Sequence, residues 1–127
     1  MTDETYWKEK LTDEQYKILR EKCTEPPFKG KYVNEKRRGK YNCAGCKNLL
    51  FLSDSKFTTG CGWASFDRPA GGESISTQMD YSHNMERIEV ICSNCKGHLG
   101  HVFEDGPTDT GMRYCINSVA LEFVAES

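Results

Sequence analysis

The chain has 127 residues, with 17 Lys and Arg against 19 Asp and Glu, for a formal charge of −2. That is one domain's worth of chain; its charge excludes binding to nucleic acid by phosphate neutralisation, and no apolar run approaches the ~20 residues of a membrane span. Seven cysteines, an odd count behind a polar MTDETYWKEK opening, predict a cytoplasmic protein whose thiols bind metal or do chemistry rather than pair as structural disulfides.

The N-terminal stretch reads as helix. Thr12 is a good N-cap and Gln15, three residues on, completes a capping box. Leu11 and Tyr16 have hydrophobic-staple spacing. Asp13 and Glu14 in the first turn, with Lys17, Arg20 and Lys22 after them, suit the helix dipole. Pro26 and Pro27 are expected to stop the helix, which would pack as a cap on the domain. From Tyr41 onward short segments are separated by Gly, Asp, Ser and Pro. Arg87–Ile91 (RIEVI) is a strand candidate, and RYCINSVALEFV (113–124) reads as one long strand. Alternation would place Arg113, Cys115, Asn117, Val119, Leu121 and Phe123 on one face. Asp105-Gly106-Pro107 marks a turn. The expected fold is mainly β and antiparallel, a single domain over 1–127, with a helical segment over about 1–27 and a β domain over about 28–127.

Cys43-Ala-Gly-Cys46 and Cys92-Ser-Asn-Cys95 are two Cys-x-x-Cys pairs, each able to grip one metal ion from a tight turn. Four thiolates suit one tetrahedral Zn²⁺, a structural staple. A redox Cys-x-x-Cys would instead expect a single pair in a βαβ setting. His98 and His101 follow Cys95 too closely to be finger ligands and stay free for proton transfer. His83 reads as a surface residue.

Three cysteines remain. Cys61 lies between Gly60 and Gly62, a setting for a thiol that must move, or for a buried cysteine in an ordinary turn. Cys115, with Arg113 and Asn117 beside it, is either a nucleophile whose thiolate a cation favours or a small core residue. Cys23 reads as a reducible thiol at a helix end. Trp63 and Phe66 are either core or an aromatic wall for an apolar group such as a methyl next to sulfur.

GCGWASF, CSNCKGHLGHVFEDGP and RYCINS, in that order, resemble methionine-R-sulfoxide reductase B, as do TEPPF (24–28) and RIEVIC (87–92). The likeness runs from about Leu11 to Phe123. It implies two antiparallel sheets with N-terminal helices and a thiol-dependent reduction of methionine-R-sulfoxide in proteins, a repair of oxidative damage. Cys115 would attack the sulfoxide sulfur and become a sulfenic acid. Cys61 would resolve it as a Cys61–Cys115 disulfide that thioredoxin reduces. His101 would supply the proton or orient the oxygen, with His98 beside it, and Asp105 would hold one imidazole. Asn117 would fix the polar end and Trp63 would face the S-methyl group. The family commonly has Pro where this chain has Ala64, which predicts a looser Trp63 loop. A lone small domain suggests a monomer. The rivals are a non-catalytic zinc-ribbon interaction module and a reductase of free methionine sulfoxide only.

Overall fold

The structure, a computed structural model, describes residues 4–58 and 60–126. The side chain of His83 lies outside what is described. Where the residue pattern alone predicts one N-terminal helix there are two, as the resemblance implies, α1 (Glu4–Lys10) and α2 (Asp13–Leu19). The capping box forms as predicted: Gln15 N–H donates to Thr12 Oγ1 at 3.1 Å, and Thr12 N–H to Gln15 Oε1 at 3.0 Å. The prolines do not end α2. It stops seven residues short of Pro26, where Lys22 takes a left-handed conformation (φ 61°) and Cys23 N–H reaches back to the Lys17 carbonyl.

Nine strands among the described residues form two antiparallel sheets. The smaller sheet has the order β2-β1-β9, from β2 (Leu49–Leu52), β1 (Gly39–Cys43) and β9 (Leu121–Ala125). The larger has the order β3-β4-β8-β7-β6-β5. Its strands are β3 (Lys56–Phe57), β4 (Ala64–Phe66), β5 (Ile75–Asp80), β6 (Arg87–Cys92), β7 (His98–Phe103) and β8 (Arg113–Ile116). Tyr41 and Phe51 of the small sheet meet Phe66 of the large one, and all three are fully buried. The rings of Phe51 and Phe66 stack at 4.3 Å and that of Tyr41 stands edge-on at 5.0 Å. Aromatic pairs in such geometry add about 0.5–1.5 kcal/mol beyond the area they bury.

RYCINSVALEFV is not one strand. It leaves the large sheet after Ile116, makes a 3₁₀ turn at Ser118–Ala120 and enters the small sheet as β9. Asn117 N–H still bonds the Leu99 carbonyl of β7 at 2.9 Å, but within the turn the donors find acceptors outside the sheets. Val119 N–H bonds the Glu25 carboxyl at 3.0 Å, and Ala120 N–H closes the turn on the Asn117 carbonyl at 3.0 Å. The shared face predicted for 113–123 therefore ends at Asn117. α2 packs against this turn and β7, as the cap the sequence implied.

Candidate active site and metal centre

The two Cys-x-x-Cys pairs form matching knuckles. In each, the residue after the second cysteine is a left-handed lysine, Lys47 (φ 70°) or Lys96 (φ 65°), whose N–H bonds the carbonyl of the first cysteine at 2.9 Å. The turn thus rests on lysine, whereas Gly45 gives room to the Trp7 ring of α1. The four sulfurs all lie within 4.8 Å of one another, with Cys43–Cys95 at 3.7 Å and Cys46–Cys92 at 3.5 Å. A zinc ion 2.3 Å from each sulfur of a tetrahedron needs edges of about 3.8 Å, so the donor set fits. Hydrogen bonds among the sulfurs lead the effects that push the Cys43 thiol up and bring that of Cys46 down. Arg20 braces the second knuckle from α2 by donating to the Cys95 carbonyl at 2.9 Å.

The remaining chemistry gathers in a pocket of about 260 Å³ lined by Cys61, Cys115, Trp63, His101, Arg113, Asn117, Thr24, Arg87, Gly100 and Phe103. Strand register builds it. Ser65 pairs with Cys115, Cys115 with His101, His101 with Glu89, and Glu89 with Gln78, one row across β4, β8, β7, β6 and β5. Gly100 lets β7 lie close to β8, since a Cβ there would overlap the Cys115 carbonyl.

The sulfurs of Cys61 and Cys115 are 3.2 Å apart, and Cys61 also lies 3.3 Å from Ser65 Oγ. Gly60 (φ 79°) and Gly62 (φ 101°) carry Cys61 through backbone that L side chains resist. Arg113 Nη1 donates to Cys115 Sγ at 2.7 Å, and its other nitrogens clasp Asp105 at 2.7 and 2.9 Å. Its guanidinium lies 4.7 Å above the Phe103 ring. The expected pull of Arg113 on the thiol is present but does not prevail. Burial first, then the Cys61 sulfur, push the Cys115 thiol up to about 12.

His101 lines the pocket and bonds Asp80 Oδ2 through Nε2 at 2.7 Å, which holds the Asp80 carboxyl well below its usual range. His98 lies behind it, 5.5 Å away ring to ring, bonded through Nδ1 to Glu89 at 2.8 Å. Burial lowers the His98 pKa against the opposing pull of Glu89. Asp105 therefore holds no imidazole: it pairs with Arg113, and Asp80 and Glu89 take the role expected of it. Phe66 is no pocket wall. It is fully buried in the ring stack between the sheets, because it and Cys115's neighbour Tyr114 face one another in register on the other side of β4 and β8. Trp63 does line the pocket, its Nε1 donating to the Glu25 carbonyl at 3.0 Å. Asn117 lines it too, with both amide ends bound to backbone: Nδ2 donates to the Leu99 carbonyl and Oδ1 accepts from Glu25 N–H, each at 3.0 Å. Ala64 is fully buried and paired in register with Ile116, so the sheet anchors the C-terminal side of the Trp63 loop without a proline. Cys23 is exposed and does not line the pocket.

Sequence reasoning missed Asp80, Glu89, Arg87 and Thr24. Glu89 had a signal: in RIEVI it is an acidic residue between Ile88 and Val90, in a strand otherwise suited to burial. Asp80 had none, because β5 was not foreseen.

No helix among the described residues is long and apolar enough to cross a membrane. The SelR domain model matches residues 11–125. A protein of Bradyrhizobium diazoefficiens called peptide methionine sulfoxide reductase MsrB is 56% identical over 119 residues, spanning 94% of this chain and 86% of that protein. Proteins of the same name from Cellvibrio japonicus and Chromohalobacter salexigens are 53% and 55% identical over 124 and 118 residues. They span 98% and 92% of this chain and 89% of each relative.

Proposed function

The chain belongs to the SelR-domain family of peptide methionine sulfoxide reductases, and from that membership we propose that it reduces the R epimer of methionine sulfoxide in proteins through Cys115 and Cys61. The observation that carries this reading is the 3.2 Å separation of their two sulfurs at a pocket that also presents an imidazole and an indole.

Cys115 passes its proton to the pocket imidazole as it attacks the sulfoxide sulfur, so that overall one proton moves from sulfur to oxygen. The S–O oxygen gains a proton from His101, whose ring Asp80 holds in place through Nε2. The oxygen passes to Cys115 as a sulfenic acid and methionine leaves, reduced by two electrons. Cys61 then attacks the sulfenic sulfur. Water departs with the oxygen, and a Cys61–Cys115 disulfide remains for a dithiol reductant, thioredoxin by class, to reopen. Arg113 steadies negative charge on the Cys115 sulfur as it develops. His98 and Asn117 act from behind, His98 through its packing on His101 and Asn117 by fixing the pocket floor.

Epimer choice follows from the two walls. The indole of Trp63 suits the S-methyl group, and His101 suits the oxygen. Exchanging them sets oxygen against an apolar ring and leaves the polar wall unpaired, a difference that reaches 10⁴–10⁵-fold in sites built around a hydrogen bond. The Cys43, Cys46, Cys92 and Cys95 set would hold one zinc ion as a staple, apart from the reaction. The protein works as a monomer in the cytoplasm, needing neither membrane nor nucleic acid.

The test is a turnover assay with R and S sulfoxides of an N-acetylated methionine peptide and of free methionine, driven by thioredoxin. The peptide R epimer should be consumed and the S epimer left. Consumption of free sulfoxide alone would support the narrower reductase, and no consumption with any thiol would support the interaction module.

A further inference from the structure

Glu25 is 5% exposed, a buried carboxyl group used by no step above. Its three attachments converge on the pocket. The Glu25 carboxyl accepts from Val119 N–H at 3.0 Å, tying residues 24–28 to the 3₁₀ turn between the two sheets. The Glu25 backbone N–H donates to Asn117 Oδ1 at 3.0 Å, and its carbonyl accepts the Trp63 indole N–H at 3.0 Å. Three residues on, Phe28 N–H bonds the Gly62 carbonyl at 2.7 Å, beside Cys61. One short segment therefore holds the floor, one wall and the Cys61 loop of the pocket. Gly30 belongs to the same device, since a Cβ there would overlap the Glu25 carboxyl and Ser118 Oγ.

Resting on the reductase reading, we propose that Glu25 is a positioning residue: its side chain pins the 24–28 segment to the 118–120 turn so that the segment's backbone holds Trp63 and Asn117 in the substrate-binding geometry. The carboxyl touches no reacting atom. Burial raises its pKa against the Val119 and Ser118 amides that lower it. The needed feature is an acceptor oxygen of the right reach, not a charge, and glutamine supplies that oxygen.

The experiment compares Glu25→Ala, Glu25→Gln and the parent, each also in a Trp7→Phe background where Trp63 is the sole tryptophan. Glu25→Ala should raise KM for the peptide R sulfoxide about 10-fold, the worth of one or two lost net hydrogen bonds, with kcat changed far less. Trp63 emission should shift to the red and become more open to acrylamide quenching. Glu25→Gln should restore KM and emission to near the parent values. If Glu25→Ala does not fold, judged by far-ultraviolet circular dichroism, Glu25→Asp, one methylene too short to reach Val119, takes its place with the same expected signs. Parent-like KM and emission in the folded variant would overturn the proposal, as would a Glu25→Gln as impaired as Glu25→Ala. A parent protein that reduces neither epimer would instead sink the reductase reading, while Trp63 emission would still report on Glu25.

Discussion

Cys115→Ser is expected to remove sulfoxide reduction altogether, whereas Cys61→Ser should release one methionine per chain and then stall. The two cysteines differ in what they must become. Cys115 has to accept the oxygen, and a serine oxygen has no such oxidised state, so nothing remains of the chemical route. The sulfur that the structure places beside Cys115 is that of Cys61, 3.2 Å away. Cys61 is needed only after methionine has left. In Cys61→Ser the sulfenic acid forms once and waits, because thioredoxin acts on a disulfide. A small thiol such as dithiothreitol should enter the pocket and restore turnover in that variant. Rapid-quench counting of methionine per chain, with thioredoxin or dithiothreitol, checks both outcomes. Repeated turnover of Cys115→Ser would rule out Cys115 as nucleophile.

Cys92→Ser should leave a chain that does not fold at 25 °C. Structural zinc in a four-sulfur site contributes roughly 10–16 kcal/mol of apparent binding energy at pH 7. A domain of this size has about 5–15 kcal/mol in total. Losing the first is as large as the second. The position is also central: Cys92 is fully buried at the end of β6, its N–H bonded to the Gly97 carbonyl at 2.9 Å to shape the turn into β7, which carries both histidines. Metal analysis on the parent should give one zinc per chain. A strong chelator should produce the same loss of circular dichroism as the substitution, with activity lost alongside. A metal-free protein with parent-like melting would remove the staple from the account.

The two chemistries were legible in the sequence because each depends on local spacing. The Cys-x-x-Cys pairs sit in turns that a few residues define, and the capping box at Thr12 and Gln15 is a contact of neighbours. Cys61, Cys115, His101 and Trp63 could be singled out one by one from their surroundings, and the family motifs supplied their pairing. What stayed hidden depends on register. Which carboxylate meets which imidazole is decided by β5, β6 and β7 lying side by side, so Asp105, near His101 in sequence, was a poor guide, and Asp80, 21 residues away, was the partner. Phe66 misled for a related reason. Strand alternation turns it to the opposite side from Ser65, whose Oγ faces Cys61. The long strand at 113–124 broke because Glu25, some 94 residues earlier, competes for the Val119 amide, and no local pattern reports such a competitor.

The most direct measurement of the central claim is a cysteine map after one turnover. The parent protein, given one equivalent of peptide methionine-R-sulfoxide and no reductant, is quenched in alkylating agent, digested and read by mass spectrometry, with zinc measured on the same sample before the quench. The account predicts one methionine formed, residues 61 and 115 joined by a disulfide, and one zinc retained. A disulfide drawn from residues 43, 46, 92 or 95 with loss of zinc, or methionine formed with residues 61 and 115 both still open to alkylation, would contradict it.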